Sequence, residues 1–192
     1  MTTEKLKATD TVTSGLTCNT KASEDAKATG LFEIKCHDKD GNLKWEAQSK
    51  NLVVNVGLAY MAGSALTSVT AITTWYVGLY GAGSSNTPAA ADTMTSHAGW
   101  TEVVDYSNVT RVAATFVTAT TANPSVATNT ASPAVFNING TTTVGGAFLT
   151  SGSAKSGTAG TLFSAADFGS PGDRSVVNSD TLSVTYTFSL AA

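Results

Sequence analysis

The cleanest alternation of apolar and polar positions lies at the end of the chain. Leu182, Val184, Tyr186, Phe188 and Leu190 alternate with Ser183, Thr185, Thr187 and Ser189, the period of a strand with one buried face. The same period appears earlier, where Phe32, Ile34 and Cys36 oppose Glu33, Lys35 and His37. Asp38-Lys39-Asp40-Gly41-Asn42 then supplies residues that accept tight-turn geometry, and Leu43, Trp45 and Ala47 alternate with Lys44, Glu46 and Gln48. A β-hairpin starting at Leu31 follows from this pattern.

Between these ends the pattern changes several times. Val54, Leu58 and Met61 recur at i, i+4 and i+7, which predicts a short helix over 52–62, with Asn51 as its cap and Gly63 closing it. The β-branched valines pull against that helix. Trp75, Val77 and Leu79 alternate with Tyr76, Gly78 and Tyr80, a strand, and 81–91 is a Gly/Ser/Pro/Ala loop. Residues 92–100 fit no regular element, although Asp92 could cap one helical turn that Gly99 ends. Further strands are expected at 111–119, 134–138, 142–150 and 160–164, with Asn139-Gly140 as a hairpin turn. Val176-Val177 should run through Asn178-Ser179-Asp180 into the last strand. Short strands at roughly ten-residue spacing predict a mainly β fold, an antiparallel β-sandwich or jelly-roll-like barrel with one short helix.

Residues 1–30 show no sustained periodicity, with Val12 and Leu16 isolated among polar residues. They are expected to form a polar N-terminal arm or linker ahead of a β-sandwich domain over 31–192. Charge sharpens that boundary. Residues 1–50 hold eight of the 14 acids and every lysine except Lys155, and beyond Lys50 the cations are Arg111, Lys155 and Arg174 alone. The charged fraction is only 13%, with Thr, Ser, Ala and Gly in place of Lys and Glu. Such a surface suits a component that contacts neighbours. A net charge of −3 without a basic stripe argues against a nucleic-acid partner. The apolar runs are too short and interrupted to cross a membrane, and the first residues lack the apolar stretch of a signal peptide, so synthesis in a cytoplasm is expected.

Candidate chemistry changes this picture little. His37 belongs to the polar face of the hairpin, and His97 shares the segment 92–100 with Asp92, Ser96 and Trp100. Adjacency in sequence does not make a triad, so His97 is expected to bond within its own loop. Asp38-x-Asp40-x-Asn42 imitates the opening of a calcium loop, but its glycine comes too early and Ser49 stands where a bidentate Glu is needed. Glu102 and Asp105 have no evident partner, and Asp167, Asp173 and Asp180 fall in turn-like contexts. Gly78-x-x-Gly81-x-Gly83 lacks the ending of a phosphate loop. Cys18 and Cys36 are too few for a disulfide framework, and Cys36 reads as a small buried residue. Trp45, Trp75, Tyr76, Tyr80, Trp100 and Tyr106 could line a sugar groove but more often supply core and contact area. No catalytic residue, cofactor-binding residue or metal ligand is nominated, no cofactor is expected, and the chain is not expected to be an enzyme.

Several blocks carry a resemblance. Phe32-Glu33-Ile34, Asp40 to Glu46 and Asn51-Leu52-Val53-Val54-Asn55-x-Gly57-Leu58 are followed by Trp75-Tyr76-Val77-Gly78-Leu79. Then come Asp92-Thr93-Met94, Ser96-His97-Ala98-Gly99-Trp100-Thr101-Glu102, Gly146-Ala147-Phe148-Leu149 and Leu162-Phe163-Ser164. Gly172 to Asn178 and Asp180-Thr181-Leu182-x-Val184-Thr185-Tyr186 complete the series. Taken in order across about 31–190, they resemble a family of tailed-bacteriophage virion structural proteins. The resemblance implies a virion component and carries no catalytic residues. Joined to the compact β-domain, the arm and the hydroxyl-rich surface, it favours a capsid decoration (cement) protein. Such a protein would be made in the host cytoplasm, sit as a homotrimer on the capsid surface and have the major capsid protein as its partner. The alternative is a tail or fibre component that binds a host-surface receptor or glycan.

Overall fold

A computed structural model describes residues 26–81, 87–168 and 172–192. The first strands are β1 (Lys27–His37), β2 (Leu43–Lys50) and β3 (Leu52–Val53), followed by helix α1 (Asn55–Leu66). β4 (Trp75–Gly81), β5 (Glu102–Val103), β6 (Val112–Ala114), β7 (Ser125–Thr128) and β8 (Ala134–Asn137) come next. β9 (Thr142–Thr150), β10 (Leu162–Asp167), β11 (Arg174–Val176) and β12 (Thr181–Ala191) complete the described chain.

The strands form two antiparallel sheets. One has the order β2-β1-β12-β7, with β8 also on β12; the other has the order β3-β10-β9-β4-β5, with β11 on β9 and β6 on β4. Side chains between the sheets make one core, including Phe32, Ile34, Leu79, Phe136, Leu149 and Val184. This is the expected antiparallel β-sandwich.

The two sheets meet solvent differently. The outer face of β1 and β12 is partly exposed, so their burial alternates along the strand. The second sheet is covered on both faces. On its outer side Tyr80, Phe148, Leu162 and Ala165 pack with Val54, Met94 and Trp100. β10 and most of β9 are therefore buried at successive positions and show no alternation in their burial. Glycines make room for the aromatics on this face. Gly78 pairs with Phe148 and Tyr80 with Gly146, and a Cβ at Gly78 or Gly146 would lie 2.2 Å or 2.1 Å from the facing ring.

The hairpin, the strand at 75–81 and the last strand form where the sequence pattern puts them. The first strand starts earlier than Leu31, because Lys27 to Gly30 already pair with Ala191 to Phe188. Helix α1 starts later than 52 and ends later than 62. Leu52 and Val53 pair with Ala165 and Ser164, and Val54 is the N-cap without a side-chain cap bond. Asn51 does not cap the helix; its Nδ2 donates to the Tyr186 hydroxyl at 2.7 Å. Gly63 lies inside the helix, and its carbonyl accepts from the amide and hydroxyl of Thr67 at 2.9 and 2.8 Å. The helix docks through Gly57, where a Cβ would lie 2.3 Å from the Phe163 carbonyl oxygen. Leu58, expected inward, is exposed, whereas Val56, Tyr60 and Met61 pack inward.

The expected hairpin turn at Asn139-Gly140 passes between sheets instead. β8 pairs with β12 while β9 pairs with β4, β10 and β11, so Asn139-Gly140 carries the chain from one sheet to the other. The turn from β11 to β12 makes the reverse passage beside it. Ile138 N–H donates to Asp180 O and Ser179 N–H to Ile138 O, both at 2.9 Å. The strand expected at 111–119 pairs with β4 only over Val112–Ala114. The chain then crosses to the other sheet, where the Val117 and Thr120 amides donate to Thr128 and Val126 carbonyls. The strand expected from 160 begins at Leu162 and continues to Asp167. Residues 92–100 hold turns and no helix.

Candidate functional site

Among the described residues, four places concentrate polar or concave character. The first is the turn segment that covers the second sheet. Trp100 is buried against Tyr80 and Phe148, with ring centroids 5.2 and 5.0 Å away, and its Nε1–H donates to Asp92 Oδ2 at 3.1 Å. The same oxygen accepts the Ala89 amide at 3.0 Å. His97 stacks on Trp100 at 3.7 Å, and its Nδ1 lies 3.0 Å from the Trp100 carbonyl oxygen. A carbonyl only accepts, so Nδ1 carries the proton. His97 thus bonds within its own loop, as expected, and Ser96 contributes its amide to Thr93 Oγ1 and no nucleophile-base contact.

Immediately beside this corner is a buried ion pair that sequence reasoning missed. Arg111 Nε and Nη2 donate to Glu102 Oε1 and Oε2 at 2.8 and 2.7 Å, with side-chain exposures of 1% and 7%. The guanidinium also donates to the Gly152 and Gly157 carbonyls at 2.8 and 2.9 Å and lies over the Phe148 ring at 5.3 Å. Glu102 Oε2 accepts the Ser156 amide at 2.7 Å. A fully bonded fork of this kind positions loops and leaves no carboxylate oxygen free for proton transfer. The contacts join strands, loop 151–157 and the Trp100 corner. Nothing in local spacing marks them, although the chain's only arginine between Lys50 and Lys155 was a clue. Asp105 is exposed and does not join the pair.

A third cluster sits at the paired crossings between sheets. Asp180 is buried, with Oδ2 accepting Lys44 Nζ at 2.5 Å, the Val177 amide at 2.9 Å and the Cys36 thiol at 3.8 Å. Burial, aided by the Asp180 carboxylate, pushes the Cys36 thiol up to about 11. The hydrogen bond to Asp180 raises Lys44. Cys36 is therefore a buried, poorly ionised thiol, and Cys18 lies outside the described residues.

The calcium-like turn is an Asx turn. Asp38 Oδ1 accepts the Asp40 and Asn42 amides at 2.9 and 2.8 Å, bonds that also hold its carboxyl below the ordinary range. Ser49 donates to the Asp167 carbonyl. Burial raises Asp167, with the Asp173 carboxylate adding to it. Among the described residues no three His, Cys, Asp or Glu side chains come together as metal ligands. Of the glycines weighed as a phosphate loop, Gly78 faces Phe148, and Gly83 lies outside the described residues.

The fourth place is a groove of about 520 Å³ between the sheets. Trp75 lines it and makes edge contacts to Tyr60 and Phe163 at 5.4 and 5.3 Å, and Phe116, Tyr186 and Phe188 also line it. No described residue that lines it is charged. Of the other aromatics, Tyr80, Trp100 and Tyr106 are buried, while Trp45 and Tyr76 are half-buried. They do not form a continuous exposed platform for a sugar. The groove has the size of a ligand site and lacks the convergent charged groups of an enzyme centre.

No described helix is long and apolar enough to cross a membrane. Comparison with protein-family models, with curated proteins and with solved structures found no match.

Proposed function

We propose that this chain is a bacteriophage virion structural protein, a decoration protein that binds the assembled head and stabilises it. The observation that supports this best is the use to which the resembling residue blocks are put. Ser96 to Glu102 build the Trp100 corner and one half of the buried Arg111–Glu102 fork. Asp180 to Tyr186 hold the crossing between sheets and the centre of the core. The Asn55-x-Gly57 block seats the helix on Phe163. The catalytic side chains of an enzyme would instead converge on a cleft.

The two remaining cations beyond β2 also bond back to the chain. Lys155 Nζ donates to the Tyr106 carbonyl at 2.5 Å and lies over that ring at 3.8 Å, and Arg174 donates to the Gly172 carbonyl. Beyond β2 the described cations are tied to the scaffold, and a surface rich in hydroxyl side chains would bind neighbours through shape and hydrogen bonds. In this proposal the partner is the major capsid protein and the bound form a homotrimer. A protein that binds the expanded shell and not its precursor stabilises the expanded state by mass action. Co-sedimentation with expanded and unexpanded heads tests this. Saturable binding to expanded heads alone supports it, and equal or absent binding to both overturns it.

A further inference from the structure

The Trp75 groove is open to solvent, and the start of the described chain lies beside it. Lys27 pairs with Ala191, Gly30 with Phe188, and Phe188 with Ala127; Phe188 and Ala127 both line the groove. Ala28 shares the face of Phe188, since it lies two residues from Gly30 on the same strand, and it packs against the core. The chain thus enters the sheet at the groove's rim.

Residues 1–25 lie outside the described residues. Within them, 11–20 (TVTSGLTCNT) carry no charge, although Lys7, Asp10, Lys21 and Glu24 flank them closely. Val12, Ser14, Leu16 and Cys18 fall at period two in that stretch, a single face of small and apolar groups. An uncharged groove rejects charged segments because burying an unpaired charge is costly, and 11–20 is the one stretch of the arm that meets the condition.

We propose that residues 12–18 of the same chain fill this groove as an extended segment, with Val12, Leu16 and Cys18 against its aromatic walls. Cys18 precedes Lys27 by nine residues, and nine residues span up to ~30 Å when extended, enough to turn over the rim and cross the groove. Tethering favours the chain's own segment over that of a second copy, because a short linker holds it at an effective concentration of roughly millimolar. This docking is independent of whether the protein decorates a phage head.

Cysteine trapping in the full chain tests it. Ala113 and Thr115 are exposed positions on the groove, so Ala113→Cys and Thr115→Cys are two separate probes. Asp40→Cys, in the turn at the far end of β1, is the control, and buried Cys36 stays silent. After diamide oxidation at micromolar protein, peptide mapping should find an intrachain bond from Cys18 to the introduced cysteine, about tenfold more abundant than in the control. Adding Leu16→Asp should abolish that bond while circular dichroism stays unchanged. No bond in either groove variant, a yield equal to the control, or a bond joining two chains would each overturn the proposal; the last outcome would assign the groove to a second copy.

Discussion

Arg111 and Glu102 face each other as a two-pronged pair, with Nε to Oε1 at 2.8 Å and Nη2 to Oε2 at 2.7 Å, both side chains almost wholly buried. Removing one partner strands the other charge away from water. Glu102→Gln is therefore expected to cost about 3–5 kcal/mol, while a joint Glu102→Leu, Arg111→Met replacement should recover much of that loss. Urea unfolding of the three proteins checks this. A single variant as stable as the parent would contradict the structural role given to the pair.

Gly57 reverses an ordinary rule. In an open helix, Gly→Ala gains about 0.5–1 kcal/mol. At Gly57 the new Cβ would lie 2.3 Å from the Phe163 backbone oxygen, which cannot yield without moving β10. Gly57→Ala is expected to destabilise by about 1–3 kcal/mol. At Gly63 the nearest atom is Val69 Cγ2 at 2.8 Å, the end of a side chain near the surface. Gly63→Ala should leave the urea midpoint nearly unchanged or raise it.

Asp92 serves two donors from one oxygen, the Trp100 indole and the Ala89 amide. Asp92→Ala leaves both unmet under a buried ring and is expected to cost about 1–3 kcal/mol. Asp92→Asn retains an acceptor and should lie much closer to the parent. Thermal unfolding followed by tryptophan fluorescence separates the two.

Alkaline pH should weaken the fold. The Cys36 thiol rises from an ordinary 9.0 to about 11, and Lys44 is raised as well, so the folded chain holds both protons more tightly than the unfolded chain. Their stabilisation is complete below the unfolded values and is lost as pH climbs through the folded ones. For Cys36 that window runs from 9.0 to about 11, and Lys44 contributes above its ordinary 10.5. The melting temperature is expected to fall across this range and to fall less steeply in Cys36→Ala. Iodoacetamide at pH 8 should label Cys36 only after unfolding; rapid labelling of the native protein would contradict its burial.

The strands that sequence periodicity marks most plainly share one property. β1 and β12 have one buried and one partly exposed face, so Phe32, Ile34, Leu182 and Val184 stand out at alternate positions. β10 is buried on both faces, as is most of β9, so their burial does not alternate, and the strand expected over 142–150 sets Gly146 opposite the Tyr80 ring. The passage between sheets at Asn139-Gly140 was not legible, because the dipeptide suits a tight turn whichever sheet the next strand joins. β7 depends on its partner in β12, and its four residues carry too little pattern to announce a strand. The same limit hid the site residues. Glu102 and Arg111 are nine positions apart and meet only through folding, and the groove draws Tyr60, Trp75, Phe116 and Phe188 from separate segments. His97 was legible, because its partner Trp100 is three residues away.

Cryo-electron microscopy of the parent particle is the most direct test of the virion proposal. Two-sheet domains are expected to be arrayed on the outside of the head in register with the shell lattice, with three copies around each site. Purified particles that hold this chain in only a few copies at the tail, or lack it altogether, would contradict that account.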